Sequence, residues 1–154
     1  MREKRTINAV YFMKKLLILI VALFVASTLS AQTYKVGDIY DVDGKKGVVF
    51  EISEDGKHGK IISTELSSDK ITWSQAMEWG KQLKDGWYMP SYEELNEVLK
   101  VRDQVYAKMP NARGYYWTTT EFNSDCAWMV SIRTDSRGAS YKENKFSAKP
   151  IANF

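Results

Sequence analysis

Glu121, Asn123 and Asp125 alternate along a polar stretch, and an extended backbone would set their side chains on one face. Three oxygen donors could begin a calcium site, which takes six to eight. A solvated turn, with Asn and Asp bonding the local backbone, accounts for the same residues and is the plainer reading. Asp41 and Asp43 before Gly44 look like the start of a calcium loop, but no ligands continue at alternate positions and no Glu closes it. Asp43-Gly44 therefore reads as a hairpin turn. His58, the only histidine, lies in a Lys- and Gly-rich turn, where solvation is expected. Cys126 is the only cysteine, so an internal disulfide is impossible; the thiol is either buried or links two copies. A reactive thiolate needs a positive neighbour, and the adjacent side chain is Asp125. Glu93 and Glu97, spaced i,i+4, suit a solvated helix face. No nucleophile–base pair emerges, so the sequence assigns no catalytic residue, no metal and no cofactor.

The aromatic residues carry the other candidate chemistry. Trp73, Trp87, Trp117 and Trp128 fall on apolar faces and read as core. Tyr88, Tyr115 and Trp79 lie off those faces, and amphipathic rings of this kind stack on sugars or anchor a protein partner. The expected ligand-binding set is Tyr88, Tyr115, Glu121, Asn123, Asp125 and Arg133, with recognition expected through the loops after Thr120 and after Ile132.

Several elements must position these groups. Residues 34–64 read as a β-meander, with strands at Tyr34–Val36, Asp38–Val42, Gly47–Ile52 and Gly59–Ser63 and turns at Asp43-Gly44 and Asp55-Gly56. The period then becomes helical: Trp73, Ala76, Met77, Gly80 and Leu83 predict a helix over 72–84, ended by Asp85-Gly86. Ser91 and Glu94 have capping-box spacing, and Leu95, Val98, Leu99, Val105 and Tyr106 predict a second helix over 92–108. Strands follow at Tyr115–Thr120, Ala127–Ile132 and Ala139–Lys142, after a turn at 135–138. Residues 149–154 read as an edge strand, where Pro150 is tolerated. Strands, two helices and strands again imply an α+β domain.

The N-terminus has the character of an export signal. Lys14 and Lys15 precede an unbroken apolar run from Leu16 to Ala26, followed by small residues up to Ala31. The run is shorter than the ~20 residues needed to span a bilayer. Cleavage is expected after Ala31, or after Ser30, and Met13 is a plausible true start; a buried N-terminal helix is the alternative. A signal peptide over 1–31 leaves a single domain over 32–154, periplasmic or extracellular, with no transmembrane segment. The whole chain has 22 basic and 19 acidic residues and a net charge of +3. Arg2, Lys4, Arg5, Lys14 and Lys15 leave with the signal, against Glu3 alone, so 17 basic and 18 acidic residues remain. The basic balance thus belongs to the export signal and does not argue for nucleic-acid binding.

Four segments together resemble a known family. Gly86-Trp87-Tyr88-Met89-Pro90-Ser91-Tyr92-Glu93-Glu94-Leu95 is similar to the G-W-x-L-P-S-x-x-E-L segment of the Lcl C-terminal-like domain family. Tyr116-Trp117-Thr118-Thr119-Thr120-Glu121 resembles its Y-W-S-S-T-E segment. Ala127-Trp128 matches the next aromatic strand, and Asn144-Lys145 with Lys149–Phe154 matches the closing strand. The resemblance spans about residues 70–154 and implies a C-type-lectin-like fold, with two helices on a small curved sheet. It marks Trp87, Pro90, Glu94, Trp117 and Trp128 as core motif residues, with the three indoles expected to meet in one interior. Lys149 and Asn153 stand where that family often has Arg. The calcium-dependent sugar motifs and paired disulfides of animal lectins are missing.

Taken together, the expectation is an exported, non-catalytic binding module for a glycan or protein ligand, of open oligomeric state. A structural subunit of an envelope assembly is the alternative, and a Cys126 enzyme on a formylglycine-generating-enzyme-like fold is a third reading.

Overall fold

A computed structural model describes residues 32–154; the expected signal peptide, the expected cleavage positions and the expected start at Met13 lie outside the described residues. The meander forms as β1 (Ile39–Val42), β2 (Lys45–Ile52) and β3 (Gly59–Ser63). Asp43 and Gly44 turn the first hairpin with φ of 51° and 79°, as a two-residue turn matching strand twist requires. Tyr34–Val36 is not a strand: the chain enters through a turn at Gly37, whose N–H bonds Val49 O at 2.8 Å.

Helix α1 (Trp73–Lys81) starts from a full capping box between Thr72 and Gln75. It ends three residues earlier than the periodicity predicts. Gln82 caps it, and Asp85 and Gly86 then reverse the chain at φ of 57° and 78°. Trp87–Tyr88 forms a short strand, β4, where the sequence pattern predicts no element. The Ser91–Glu94 capping box opens α2 (Tyr92–Lys100) as expected.

The predicted long second helix breaks at Val101, with φ −117° and ψ 24°, and a five-residue α3 (Arg102–Tyr106) follows. The break lets the Arg102 guanidinium bond the carbonyls of Ile132 and Arg133, each at 2.9 Å.

Strands β5 (Tyr116–Glu121), β6 (Cys126–Ser131) and β7 (Ser136–Tyr141) make an antiparallel three-stranded sheet. The turn before β7 falls at residues 132–135, earlier than expected, because Asp135 takes the positive φ of 50°. β8 (Ile151–Asn153) is not an edge strand. It lies between β3 and β4 in a five-stranded sheet of order β1-β2-β3-β8-β4. Pro150 is tolerated because it sits one residue before the ladder, and only its carbonyl is used, by Ser63 N–H at 3.0 Å. The elements are those of an α+β domain, as the sequence implies.

Side-chain alternation divides the interior. Val48, Phe50, Ile62 and Ile151 on one face of the large sheet pack with Leu95, Val98 and Leu99 of α2 and with Val130. Val49, Ile61, Trp87 and Ala152 form a separate cluster. Trp117, Ala127 and Ala148 pack with Ala76 of α1 in a third. The three indoles therefore do not share one interior. Trp117 pairs with Met129, one residue along from Trp128, so the two tryptophans face opposite sides of the small sheet. Trp117 is fully buried, with its indole N–H on Ile71 O at 3.0 Å, whereas Trp128 is only half-buried.

Candidate binding site

The β5–β6 hairpin collects three of the predicted residues, Glu121, Asn123 and Asp125. Asn123 Oδ1 accepts the backbone N–H groups of Asp125 (2.9 Å) and Cys126 (2.8 Å), and Cys126 O accepts those of Phe122 and Asn123. The Asn side chain thus closes the turn in the way its residue type favours. Lys142, next after β7, clamps the loop from outside. Its ammonium donates to Glu121 Oε2 (2.6 Å) and Ser124 O (2.8 Å) and lies 4.7 Å from the centre of the Trp73 ring. Its backbone N–H bonds Asp125 O at 2.9 Å. The calcium arrangement does not form: Glu121 is held by an ammonium and the Asn123 oxygen by the turn. Among the described residues no three His, Cys, Asp or Glu side chains gather.

Around this fixed loop stands a group of aromatic rings. Tyr92, the first residue of α2, stacks on Trp128 with ring centres 4.5 Å apart, and Phe122 meets Trp128 edge-on at 5.1 Å. The backbone N–H of Tyr92 bonds Thr120 Oγ1 (3.0 Å) and Thr119 N–H bonds Pro90 O (2.9 Å), so the start of α2 is tied to the end of β5. Phe122 is 54% exposed and Tyr141 67% exposed. Tyr141 pairs with Cys126 across β6–β7, and with Ser124, Asp125, Lys142 and Glu143 it lines an open recess of about 410 Å³. Ala139, directly opposite Trp128, is too small to cover the indole.

The other predicted site residues lie elsewhere. Tyr88, on β4, donates its hydroxyl to Glu94 Oε1 (2.9 Å), which also meets Lys60 Nζ at 3.2 Å; Glu51 pairs with the same ammonium at 3.5 Å. Burial first, and then the Glu94 carboxylate, raise the Tyr88 pKa strongly. For Lys60, burial alone would lower the pKa, but the bond to Glu94 and the charge of Glu51 outweigh it and the net shift is upward. Glu94 is thus a junction, since its second oxygen accepts Ser91 N–H in the capping box. Tyr115 is half-buried, with its hydroxyl 3.0 Å from Ser136 Oγ. Arg133 sits exposed in the turn before β7, and its carbonyl serves Arg102. Cys126 is a half-buried free thiol and His58 is exposed.

The sequence reading missed Phe122, Tyr92, Tyr141 and Lys142. A lone Phe inside the polar run 121–125 was the available signal for the first. The other three need the register of β6 against β7 and the docking of α2. Trp128, read as core, belongs to this rim.

No family model matches the sequence, and no curated protein matches it. Similar solved structures include a crystal structure of botrocetin, with 10% identity and a TM-score of 0.43; the match covers 68% of this chain and 95% of that one. A chain from the complex of a mutant von Willebrand factor A1 domain with botrocetin shows 11% identity, coverage of 76% and 97%, and a TM-score of 0.41. At this identity and these scores the likeness carries no argument about function.

Proposed function

We propose that the domain is an exported, non-catalytic binding module that engages a protein ligand through the β5–β6 hairpin and the aromatic rim beside it. The observation that carries this reading is an exposed Phe122 on a loop already fixed by Asn123 and Lys142. Exposing a large apolar ring is unfavourable in water, and holding it rigidly removes the ordering cost that a flexible anchor meets on binding. Lys142 is neutralised by Glu121, which leaves Asp125 and Glu143 as the free charges near Tyr141. A partner segment with an apolar side chain and a neighbouring basic group suits that surface.

A glycan is the second reading. Tyr141, an open ring beside two carboxylates, favours it, since sugars stack on aromatic faces and bond to acidic oxygens. Trp128 is less suited to this, because Tyr92 covers one face and Phe122 abuts it. Membership of the Lcl C-terminal-like family and a C-type-lectin-like fold are part of this proposal. They are supported by the order of the sequence motifs and of the elements, not by a shared indole core. Export is supported by the charge and hydropathy of residues 14–31.

The test is a glycan array run beside a pull-down from cell-surface extracts, with the wild-type protein and Phe122→Ser in parallel. The proposal expects a captured protein whose retention falls at least tenfold with Phe122→Ser and weakens with salt. Sugar binding that survives Phe122→Ser but fails with Tyr141→Ala would transfer the assignment to the glycan reading. Blank results in both assays would remove it.

A further inference from the structure

Away from the hairpin, at the opposite end of β5, the chain buries a positive charge. Lys149 is only 6% exposed. Its ammonium donates to Leu66 O at 3.1 Å, and no ion pair among the described residues includes it. An ammonium has three donors, so two remain uncommitted. A buried cation is normally matched by a carboxylate, because removing it from water alone is costly.

Lys149 lines a recess of about 200 Å³ whose wall includes Thr64, Ser67, Asn111 and Tyr116, with Met109 and Ala112 as apolar surface. Lys108 lies at the same recess and is exposed. Two lysines and no acidic residue line it, so its field favours an anion.

We infer that this recess is a binding site for a small monovalent carboxylate, with the Lys149 ammonium as its counter-ion. The buried Lys149 balances one negative charge, while Lys108 is exposed and water-screened, so the second charge of a phosphate dianion would enter the desolvated space without a buried counter-ion. The Asn111 amide suits a remaining oxygen lone pair, since the Thr64 and Ser67 hydroxyls already donate to the carbonyls of Lys46 and Ala148, and Met109 and Ala112 suit a short alkyl group. Burial already holds the Lys149 pKa down, at about 8, and a bound carboxylate would raise it again.

The experiment is an NMR titration of the protein with acetate and propionate, against inorganic phosphate and chloride, at constant ionic strength. The readouts are the backbone amides of Asn111 and Ala112 and the pKa of the Lys149 amine. We expect saturable shifts with Kd on the order of 1–10 mM for the carboxylates. We also expect a rise of about one unit in the Lys149 pKa, the mark of a tenfold preference for the charged amine. Lys149→Met should lose the carboxylate response. Should that variant fail to fold, the pKa readout on the unaltered protein decides the matter. Linear, unsaturated shifts up to about 0.1 M, a Lys149 pKa unmoved by acetate, or an equal response to phosphate or chloride would each overturn the inference.

Discussion

Replacing Lys149 by Met should make this domain more stable at neutral pH, and the gain should fade as the pH rises. Burial lowers the Lys149 pKa to about 8, against about 10.4 for an unperturbed lysine. Between those values the unfolded chain binds more protons than the folded one, so this group's contribution to stability increases with pH. Below pH 8 both states are charged and the full desolvation penalty is present. A shift of between two and three units corresponds to about 3 kcal/mol. Met keeps the unbranched shape without the charge but gives up the bond to Leu66 O, worth about 1 kcal/mol. The net expectation is a variant more stable by about 2 kcal/mol at pH 7. Towards pH 10.5, where the native lysine is neutral in the fold, the difference should fall by about 3 kcal/mol, leaving the Met variant about 1 kcal/mol less stable than the native chain. Urea unfolding of both proteins across this range, in carboxylate-free buffer, measures the difference directly; the tyrosines with raised pKa values are common to both. A Met variant that is less stable at pH 7 by an amount independent of pH would refute the reasoning and make Lys149 a simple structural clamp.

Other expectations follow from packing and polar geometry. A Cβ at Gly59 would collide with the carbonyl of Glu51 across the β2–β3 ladder, so Gly59→Ala should destabilise the domain by roughly 1–3 kcal/mol, seen as a lower urea midpoint at unchanged slope. Glu94→Ala removes the reciprocal half of a capping box and the acceptor for both Tyr88 and Lys60. Its expected cost is about 2–3 kcal/mol by the same measurement, and Glu94→Gln should recover part of it. Lys142→Met should leave global stability nearly unchanged but speed amide exchange at Asp125 and Cys126, because it frees Glu121 and Ser124 O.

Much of the framework was legible because it is encoded locally. The Asp43-Gly44 turn and the Ser91–Glu94 cap each need only a few adjacent residues, and both stand where the sequence puts them. The interruption at Val101 was not legible, because its compensation comes from carbonyls some thirty residues away, at Ile132 and Arg133. The same applies to β8: Pro150 argued for an edge, while partners on both sides are set by long-range pairing with β3 and β4. The one-interior expectation for Trp87, Trp117 and Trp128 failed on a question of faces. Apolar residue type marks burial but not which side of which sheet, and a one-residue offset separates Trp117 from Trp128. In the site, the sequence located the loop at 121–125 but valued its carboxylates over its phenylalanine. Lys149 drew notice only as a departure from Arg, since burial of a charge is visible only in the folded chain.

The recognition surface is open to one direct measurement: a photo-crosslinking amino acid placed at position 122, and in a second protein at exposed Ile39 on β1, followed by exposure of each to cell-surface extracts. The account predicts a discrete crosslinked protein from position 122 alone, competed away by unlabelled wild type but not by Phe122→Ser. Equal crosslinking from both positions, or none from 122 under conditions where the wild type retains a ligand, would contradict it.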